Sequence, residues 1–288
     1  MIQNGAVLIA DRQFKQVGTV EEVSARLSGA SLRKICAENR VVLPGFVDSH
    51  AHPIFASPRE QDYESRISGK SYQEIAESGG GILSSVRGVR ESGRAHLREL
   101  AKPRLFGFVE HGTTTLECKS GYGLDLENEI KLLEIIQELR AQVPLDLVPT
   151  FLGAHEIPPE YKFKKDDYVR IVADMMIPEI AGRRLAVFCD CFVEEHIFPP
   201  SSARKILESA RSHGLKVKLH ADQLRRSGAT LLGIEMNAVS IDHLEQINEQ
   251  DIHALASSNV IATLLPGSVF HLGSHRYPPA RPLIDAGV

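Results

Sequence analysis

The sequence predicts an α/β chain organised as a parallel (β/α)8 barrel with its eighth strand missing. Three observations carry that reading. Apolar runs at 41–50, 113–119, 145–152, 185–193, 216–220, 238–243 and 259–265 alternate with amphipathic segments at 84–101, 126–142, 166–181, 201–213, 227–236, 248–258 and 278–286, the pattern of repeated strand–helix units. Chemically special residues cluster at the C-terminal ends of the apolar runs, where barrels of this kind build their sites. The seventh unit closes with the helix at 278–286, and only Gly287 and Val288 follow it.

Along the chain, residues 1–40 hold short alternating runs, Ala6 to Ala10 and Phe14 to Val17, which read as a partial β-sandwich-like segment outside the barrel. The barrel domain is expected over 41–288. Its first strand passes through Pro44 and Gly45 to end at His50 and His52. In the segment 126–142, Ile130, Leu133, Ile136 and Leu139 recur at helical spacing and Asp125 is placed to cap the start. Lys119 to Gly123 follow the second strand, His155 the third, Glu194 the fourth, His220 the fifth and His243 the sixth. Gly79-Gly80-Gly81 is superficially a phosphate loop, but no Gly-Lys-Ser/Thr follows; a flexible segment near the site mouth is the expectation. No internal repeat beyond the strand–helix alternation and no low-complexity linker is found.

With 288 residues, 43% hydrophobic and 24% charged, the composition is that of an ordinary globular protein able to bury a sizeable core. A net charge of −4 gives no electrostatic footprint for nucleic acid and no polybasic membrane segment, so the expected partner is a small-molecule substrate. The start Met1-Ile-Gln-Asn lacks the regions of a signal peptide and no run reaches membrane-span length; the expectation is a cytoplasmic protein, with a homodimer as the assembly to consider. Cys36, Cys118, Cys189 and Cys191 do not make a disulfide framework. Cys189 and Cys191 share a strand face and read as core filler rather than ligands.

His50 and His52 are the most informative pair. Alternate residues of a strand share a face, so both imidazoles aim together from a strand end, and His220 closes a second apolar strand in the same way. Neutral imidazole nitrogens are ligands for zinc or iron. One divalent ion on His50, His52 and His220 is therefore the expected cofactor.

The residues His50-Ala-His52-Pro-Ile-Phe55, Gly79-Gly-Gly-Ile82, Lys119-Ser-Gly-Tyr-Gly-Leu124, Phe151-Leu-Gly-Ala-His155, His220-Ala-Asp-Gln223, Asp242-His243-Leu-Glu245 and Ala262-Thr-Leu-Leu-Pro-Gly267 resemble the imidazolonepropionase family of the amidohydrolase superfamily. The first motif is shared across metal-dependent hydrolases of the superfamily; the Ser-Gly-Tyr-Gly and Gly-Ala-His segments are more specific. The resemblance implies hydrolysis of the cyclic amide of 4-imidazolone-5-propanoate to N-formimidoyl-L-glutamate, a step of histidine degradation, on one zinc or iron ion. It further implies that His243 polarises the carbonyl under attack and acts in proton transfer, that Gln223 holds the substrate's ring, that Arg59 meets a substrate carboxylate, and that Tyr122 and His155 contact the propanoate or the imidazolone.

The sequence departs from the family at one ligand. An aspartate that follows the eighth strand, ligates the metal and accepts the water proton has no counterpart within these residues. Asp222 and Asp242 adjoin site histidines, but each is expected to point one position away from the metal. Where related deaminases carry a glutamate three residues after the histidine of the fifth strand, Gln223 cannot ionise. Lys119 is on the wrong strand to bridge two metals, so one ion is expected. The competing readings are another amidohydrolase or aminohydrolase of the superfamily and a catalytically silent fragment that keeps a ligand pocket.

Overall fold

Parallel pairing of apolar runs builds the larger part of the molecule. The computed structural model describes residues 1–27, 31–70, 74–75 and 78–288, and it divides into two units, Met1–Pro44 and Gly45–Val288.

In the first unit β1 (Gly5–Ala10) pairs antiparallel with β2 (Gln13–Thr19). The two residues between them, Asp11 and Arg12, both have positive φ (52° and 61°), the conformation whose twist matches that of the flanking strands. The helical turn α1 (Val20–Ser24) follows, with Thr19 accepting from the Glu22 amide and Glu22 accepting from the Thr19 amide, a reciprocal cap. Where the sequence predicts a sandwich-like segment, the described residues form this hairpin and one short helix.

The second unit carries seven parallel strands that pair in chain order: β3 (Phe46–Asp48), β4 (Thr113–Lys119), β5 (Asp146–Ala154), β6 (Phe188–Val193), β7 (Lys216–Ala221), β8 (Ser240–His243) and β9 (Ile261–Thr263). Their connections contain α2 (Glu60–Ile67), α3 (Ile82–Glu91), α4 (Arg94–Glu110), α5 (Leu126–Leu139), α6 (Lys165–Ile171), α7 (Ile177–Gly182), α8 (Pro200–Ser212), α9 (Ala229–Glu235) and α10 (Glu249–Ala256); α11 (Pro266–His271) and α12 (Ala280–Asp285) follow β9. Between α6 and α7 a π-helical turn spans Val172–Met176.

Several elements differ from expectation. The first strand is shorter than 41–50 because Pro44 offers no amide hydrogen to a ladder; pairing begins where the Phe46 amide donates to Gly112 O at 2.9 Å. The single helix expected at 84–101 is two helices, α3 and α4, parted at Ser92 and Gly93. The short α2 and α11 had no expected counterpart.

Alternation along the strands sorts side chains by face. Leu116 and Cys118 of β4 and Cys189 and Cys191 of β6 join the apolar core, as do Leu132, Leu133, Ile135, Ile136 and Leu139 of α5. Each such aliphatic side chain contributes roughly 1.5–3 kcal/mol by leaving water. Asp125 caps α5 by accepting from the Asn128 amide at 2.8 Å, as its position predicts. The opposite face of the strands is charged: Glu117 and Lys119 on β4, Asp190 on β6, Lys218 and His220 on β7, all buried.

Those inward residues show that the sheet is curled. Lys218 Nζ on β7 reaches Glu117 Oε2 on β4 at 2.6 Å and Ser49 O beside β3 at 2.9 Å. Strands three and four places apart in a flat sheet would lie about 14–19 Å apart, so only a closing curl explains such contacts. Among the described residues β3 and β9 each pair on one side only, and a cavity of about 580 Å3 lined by Phe46, His50, Thr263 and Leu264 lies between them. No helix of the described residues is long and apolar enough to cross a membrane.

Candidate active site

Five histidines gather where the strands end. His220 is the last but one residue of β7, His243 is the last of β8, His155 follows β5 directly, and His50 and His52 lie just past β3. The ring of His50 is 4.5 Å from that of His220, 5.3 Å from that of His243 and 5.4 Å from that of His52. His52 stacks on His155 at 4.9 Å with an interplanar angle of 16°. Ligand atoms of His50, His220 and His243 come within 4.8 Å of one another, as do those of His52, His155 and His220. His220 belongs to both groups, while His50 and His52 belong to one each.

Hydrogen bonds fix the tautomers of two of these rings. His50 Nδ1 lies 2.6 Å from Asp242 Oδ2, and His220 Nδ1 lies 3.0 Å from Asp190 Oδ1. A carboxylate accepts and does not donate, so Nδ1 carries the proton in both rings and the Nε2 lone pairs are free. Burial holds the pKa of both imidazoles well below the ordinary value, with the Lys119 ammonium pushing the same way. Both are therefore neutral donors at neutral pH, the form a metal requires. His155 donates through Nδ1 to Gly121 O at 3.0 Å, and burial lowers its pKa to about 4. Among the described residues the buried Nδ1 atoms of His52 and His243 have no hydrogen-bond partner, and that of His243 lies 3.5 Å from Glu245 Oε1. A cluster of neutral nitrogen donors with free lone pairs fits a divalent zinc or iron ion.

Beneath the histidines lies a buried charge network. Lys119 Nζ approaches Glu117 Oε1 at 3.0 Å, Asp190 Oδ2 at 2.5 Å and Asp242 Oδ2 at 3.4 Å, and Lys218 Nζ approaches Glu117 Oε2 at 2.6 Å and Asp242 Oδ2 at 3.6 Å. Burial alone would lower the Lys119 pKa, but Asp190, Asp242 and Glu117 together carry it above the ordinary lysine value. Burial works to raise the Asp242 pKa; Lys119 and Lys218 outweigh it and keep the carboxylate ionised. Lys119 is thus a partner of carboxylates at the base of the site.

Asp242 departs from the expectation that it points one position away from the site, since its carboxylate meets His50 Nδ1 at 2.6 Å. Ser240 and Asp242 share the inward face of β8, with Ser240 Oγ donating to Asp242 Oδ1 at 2.8 Å. It is His243 that would point outward, and positive φ values at His243 (86°) and Leu244 (69°) end the alternation there, leaving the His243 ring 5.2 Å from His220. Asp222 does face away: its carboxylate accepts from the amide and hydroxyl of Thr230 and the amide of Ser227.

The loop after β4 brings Tyr122 to the cluster, 5.5 Å from His52 and 5.4 Å from His155 between ring centroids. Glu129 of α5 shapes this loop by accepting from the amides of Gly121, Gly123 and Leu124. Gly121 has a φ of 97°, a conformation open to glycine at little cost. Gln223 is half-buried after β7, its backbone carbonyl accepting from Gln246 Nε2 at 3.3 Å. Arg59 precedes α2, and its charge lies near enough to depress the His52 and His155 pKa values after the larger effects. Gly81 donates its amide to Asp62 Oδ2 at 2.9 Å, so this glycine run is bound to a carboxylate of its own chain. Sequence reasoning missed Glu117, Asp190 and Lys218. The available signal was charge at alternate positions of apolar strands, as in Glu117 and Lys119 or Lys218 and His220.

No family model matches the chain. Among solved structures, the chain superposes on 5-methylcytosine deaminase from Klebsiella pneumoniae liganded with 5-fluorocytosine with a TM-score of 0.69 at 13% identity, covering 99% of this chain and 70% of that one. It superposes on atrazine chlorohydrolase from Arthrobacter aurescens complexed with zinc with a TM-score of 0.56 at 13% identity, over 99% of this chain and 65% of that one. At these identities the likeness is one of fold alone. In sequence, the chain is 46% identical over 288 residues to the imidazolonepropionase of Solibacter usitatus, covering 100% of this chain and 69% of the relative. It is 43% identical over 290 residues to the imidazolonepropionase of Geobacillus kaustophilus, covering 68% of that relative. An alignment that runs through the whole chain at this identity includes every strand end that carries a site histidine, and on that ground the chain belongs to the imidazolonepropionase family.

Proposed function

We propose that the chain hydrolyses the cyclic amide of 4-imidazolone-5-propanoate to N-formimidoyl-L-glutamate, the histidine-degrading reaction that its relatives' name denotes. The observation that carries this reading is the histidine cluster itself, with the Nε2 atoms of His50 and His220 freed by Asp242 and Asp190. His50, His52 and His220 would hold one divalent ion, zinc or iron, both of which accept neutral imidazole ligands. When bound, the ion supplies a nucleophile at neutral pH by lowering the pKa of water from about 15.7 to roughly 7 and polarises the amide carbonyl.

The remaining roles fall to the chain's own side chains. His243, whose Nδ1 faces Glu245 Oε1 at 3.5 Å, serves as the proton-transfer group and as a donor to the carbonyl. Gln223 offers both a donor and an acceptor to the imidazolone ring without taking a charge. Arg59 supplies paired N–H groups for the propanoate carboxylate, and Tyr122 and His155 bound the space on that side. The substrate is a small anion. Four free cysteines support a reducing, cytoplasmic setting.

The test is direct. The purified chain is stripped with a chelator, reloaded with zinc or with iron, and assayed for N-formimidoyl-L-glutamate by mass spectrometry. Formation that depends on the metal is expected; none with either metal would overturn the proposal.

A further inference from the structure

We propose that Lys119 is a positioning residue for the metal centre: it holds the carboxylates of Asp190 and Asp242 in place, and these in turn orient His220 and His50 with Nε2 outward. The inference rests on the proposed metal site and adds to it a layer below the ligands.

Among the described residues Lys119 is the one group paired with both orienting carboxylates. Its Nζ touches Asp190 Oδ2 at 2.5 Å, while the other oxygen of the same carboxylate takes the His220 proton at 3.0 Å. It also lies 3.4 Å from Asp242 Oδ2, the atom that takes the His50 proton at 2.6 Å. Each histidine thus reaches the same ammonium through one carboxylate. The third contact of Lys119, Glu117 Oε1 at 3.0 Å, ties it to the neighbouring ammonium, because Glu117 Oε2 pairs with Lys218 at 2.6 Å. Thr150 Oγ1 donates to Glu117 Oε1 at 2.5 Å.

Two lysines set against three carboxylates leave the network with one negative charge, all of it buried. Without an ammonium between them, Asp190 and Asp242 would be like charges in an apolar setting, and each would turn toward whatever donor remained. The Lys119 side chain is wholly enclosed, so it does not touch solvent, and its hydrogen-bonding reach toward the histidines runs through these carboxylates. Partners that orient metal-bound histidines commonly alter metal affinity 10–100-fold.

The simplest electrostatic alternative has the opposite sign. Replacing Lys119 by a neutral side chain makes the network more negative, which by charge alone would tighten binding of a cation. Positioning predicts weaker binding.

The test uses cobalt(II) as the probe. In the metal-free chain, side-chain 15N NMR is expected to place the protons of His50 and His220 on Nδ1; a proton on Nε2 in either ring would overturn the inference without any variant. Lys119→Met is then expected to bind cobalt(II) about 10–100-fold more weakly in chelator competition, with an altered d–d absorption spectrum. Lys119→Gln, which keeps a donor, is expected to fall between Met and the parent chain, and it is the variant to measure if Lys119→Met does not fold. Affinity equal to or tighter than the parent's in either variant, with an unchanged spectrum, overturns the inference. Because cobalt binding needs no turnover, a parent chain with the expected tautomers and affinities that is inert on the imidazolone counts against the proposed reaction and for this network.

Discussion

His50 Nδ1 and Asp242 Oδ2 are 2.6 Å apart, although 192 residues separate them in the chain. The bond joins the segment after the first barrel strand to the sixth, and the acceptor is fully enclosed. Asp242→Ala is expected to remove both the orientation of His50 and one counter-charge of Lys119 and Lys218. Denaturant unfolding with and without zinc checks it: the stabilisation contributed by zinc should shrink by about 1.4–2.7 kcal/mol, the equivalent of 10–100-fold in affinity.

Lys218 carries a prediction about the fold alone. Its ammonium accounts for one oxygen of Glu117 and donates to the Ser49 carbonyl. Lys218→Met leaves the buried Glu117 Oε2 without its ammonium partner at 2.6 Å, and breaking a buried pair from one side costs about 3–5 kcal/mol. A change in unfolding free energy below 1 kcal/mol, on the order of an exposed pair, would show that Lys119 alone suffices for Glu117.

Gly121 couples the Tyr122 loop to His155. A Cβ at this position would stand 3.0 Å from His155 Nδ1 and 3.0 Å from Leu152 O, and φ is 97°. Gly121→Ala is therefore expected to cost roughly 1–3 kcal/mol of stability and to displace His155. Steady-state kinetics should register this as a raised KM for the imidazolone; an unchanged KM would separate the loop from the substrate.

Much of this architecture could be read in advance, for identifiable reasons. β4 to β8 are runs with strong apolar alternation between well-marked helices, and α5 shows both its periodicity and its Asp125 cap. The short α2 was illegible because Glu60–Ile67 is mostly polar and carries little helical periodicity, and the break at Gly93 fell inside a pattern that stays helical on both sides. Among site residues, histidines announce themselves by residue type. Asp242 did not, because reading β8 by alternation required a choice between Asp242 and His243, and the backbone turn at His243 removes that choice. The carboxylates and lysines below the histidines depend on contacts between distant strands, which no local spacing records.

His155 makes acid stability testable. Its folded pKa of about 4 lies below the ordinary 6.5, so between these values the unfolded chain holds a proton that the folded chain refuses. Its contribution is intact above pH 6.5 and declines as pH falls toward 4, by up to roughly 1.4 kcal/mol per pH unit. His155→Gln should lower the slope of unfolding free energy against pH by one proton in that window. Parallel curves for variant and parent would refute the assignment.

Arg59→Ala is expected to raise KM with kcat nearly kept. In the proposed role of carboxylate clamp, Arg59 holds ground state and transition state alike, so its loss weakens both equally. Unchanged KM with reduced kcat would move Arg59 from binding to chemistry.

The strict chain order of β3 to β9 has a consequence for how the molecule assembles. Each ladder joins a strand to the next one in sequence, so the closure entropy of every step is that of a single connection and does not accumulate with chain length. Growth can proceed strand by strand from either end. The contacts of His50 with Asp242 and of Lys218 with Ser49 cross most of the sheet and reward only a nearly finished curl. The histidine cluster is therefore expected to form last, and recovery of its contacts should lag behind recovery of helical circular dichroism.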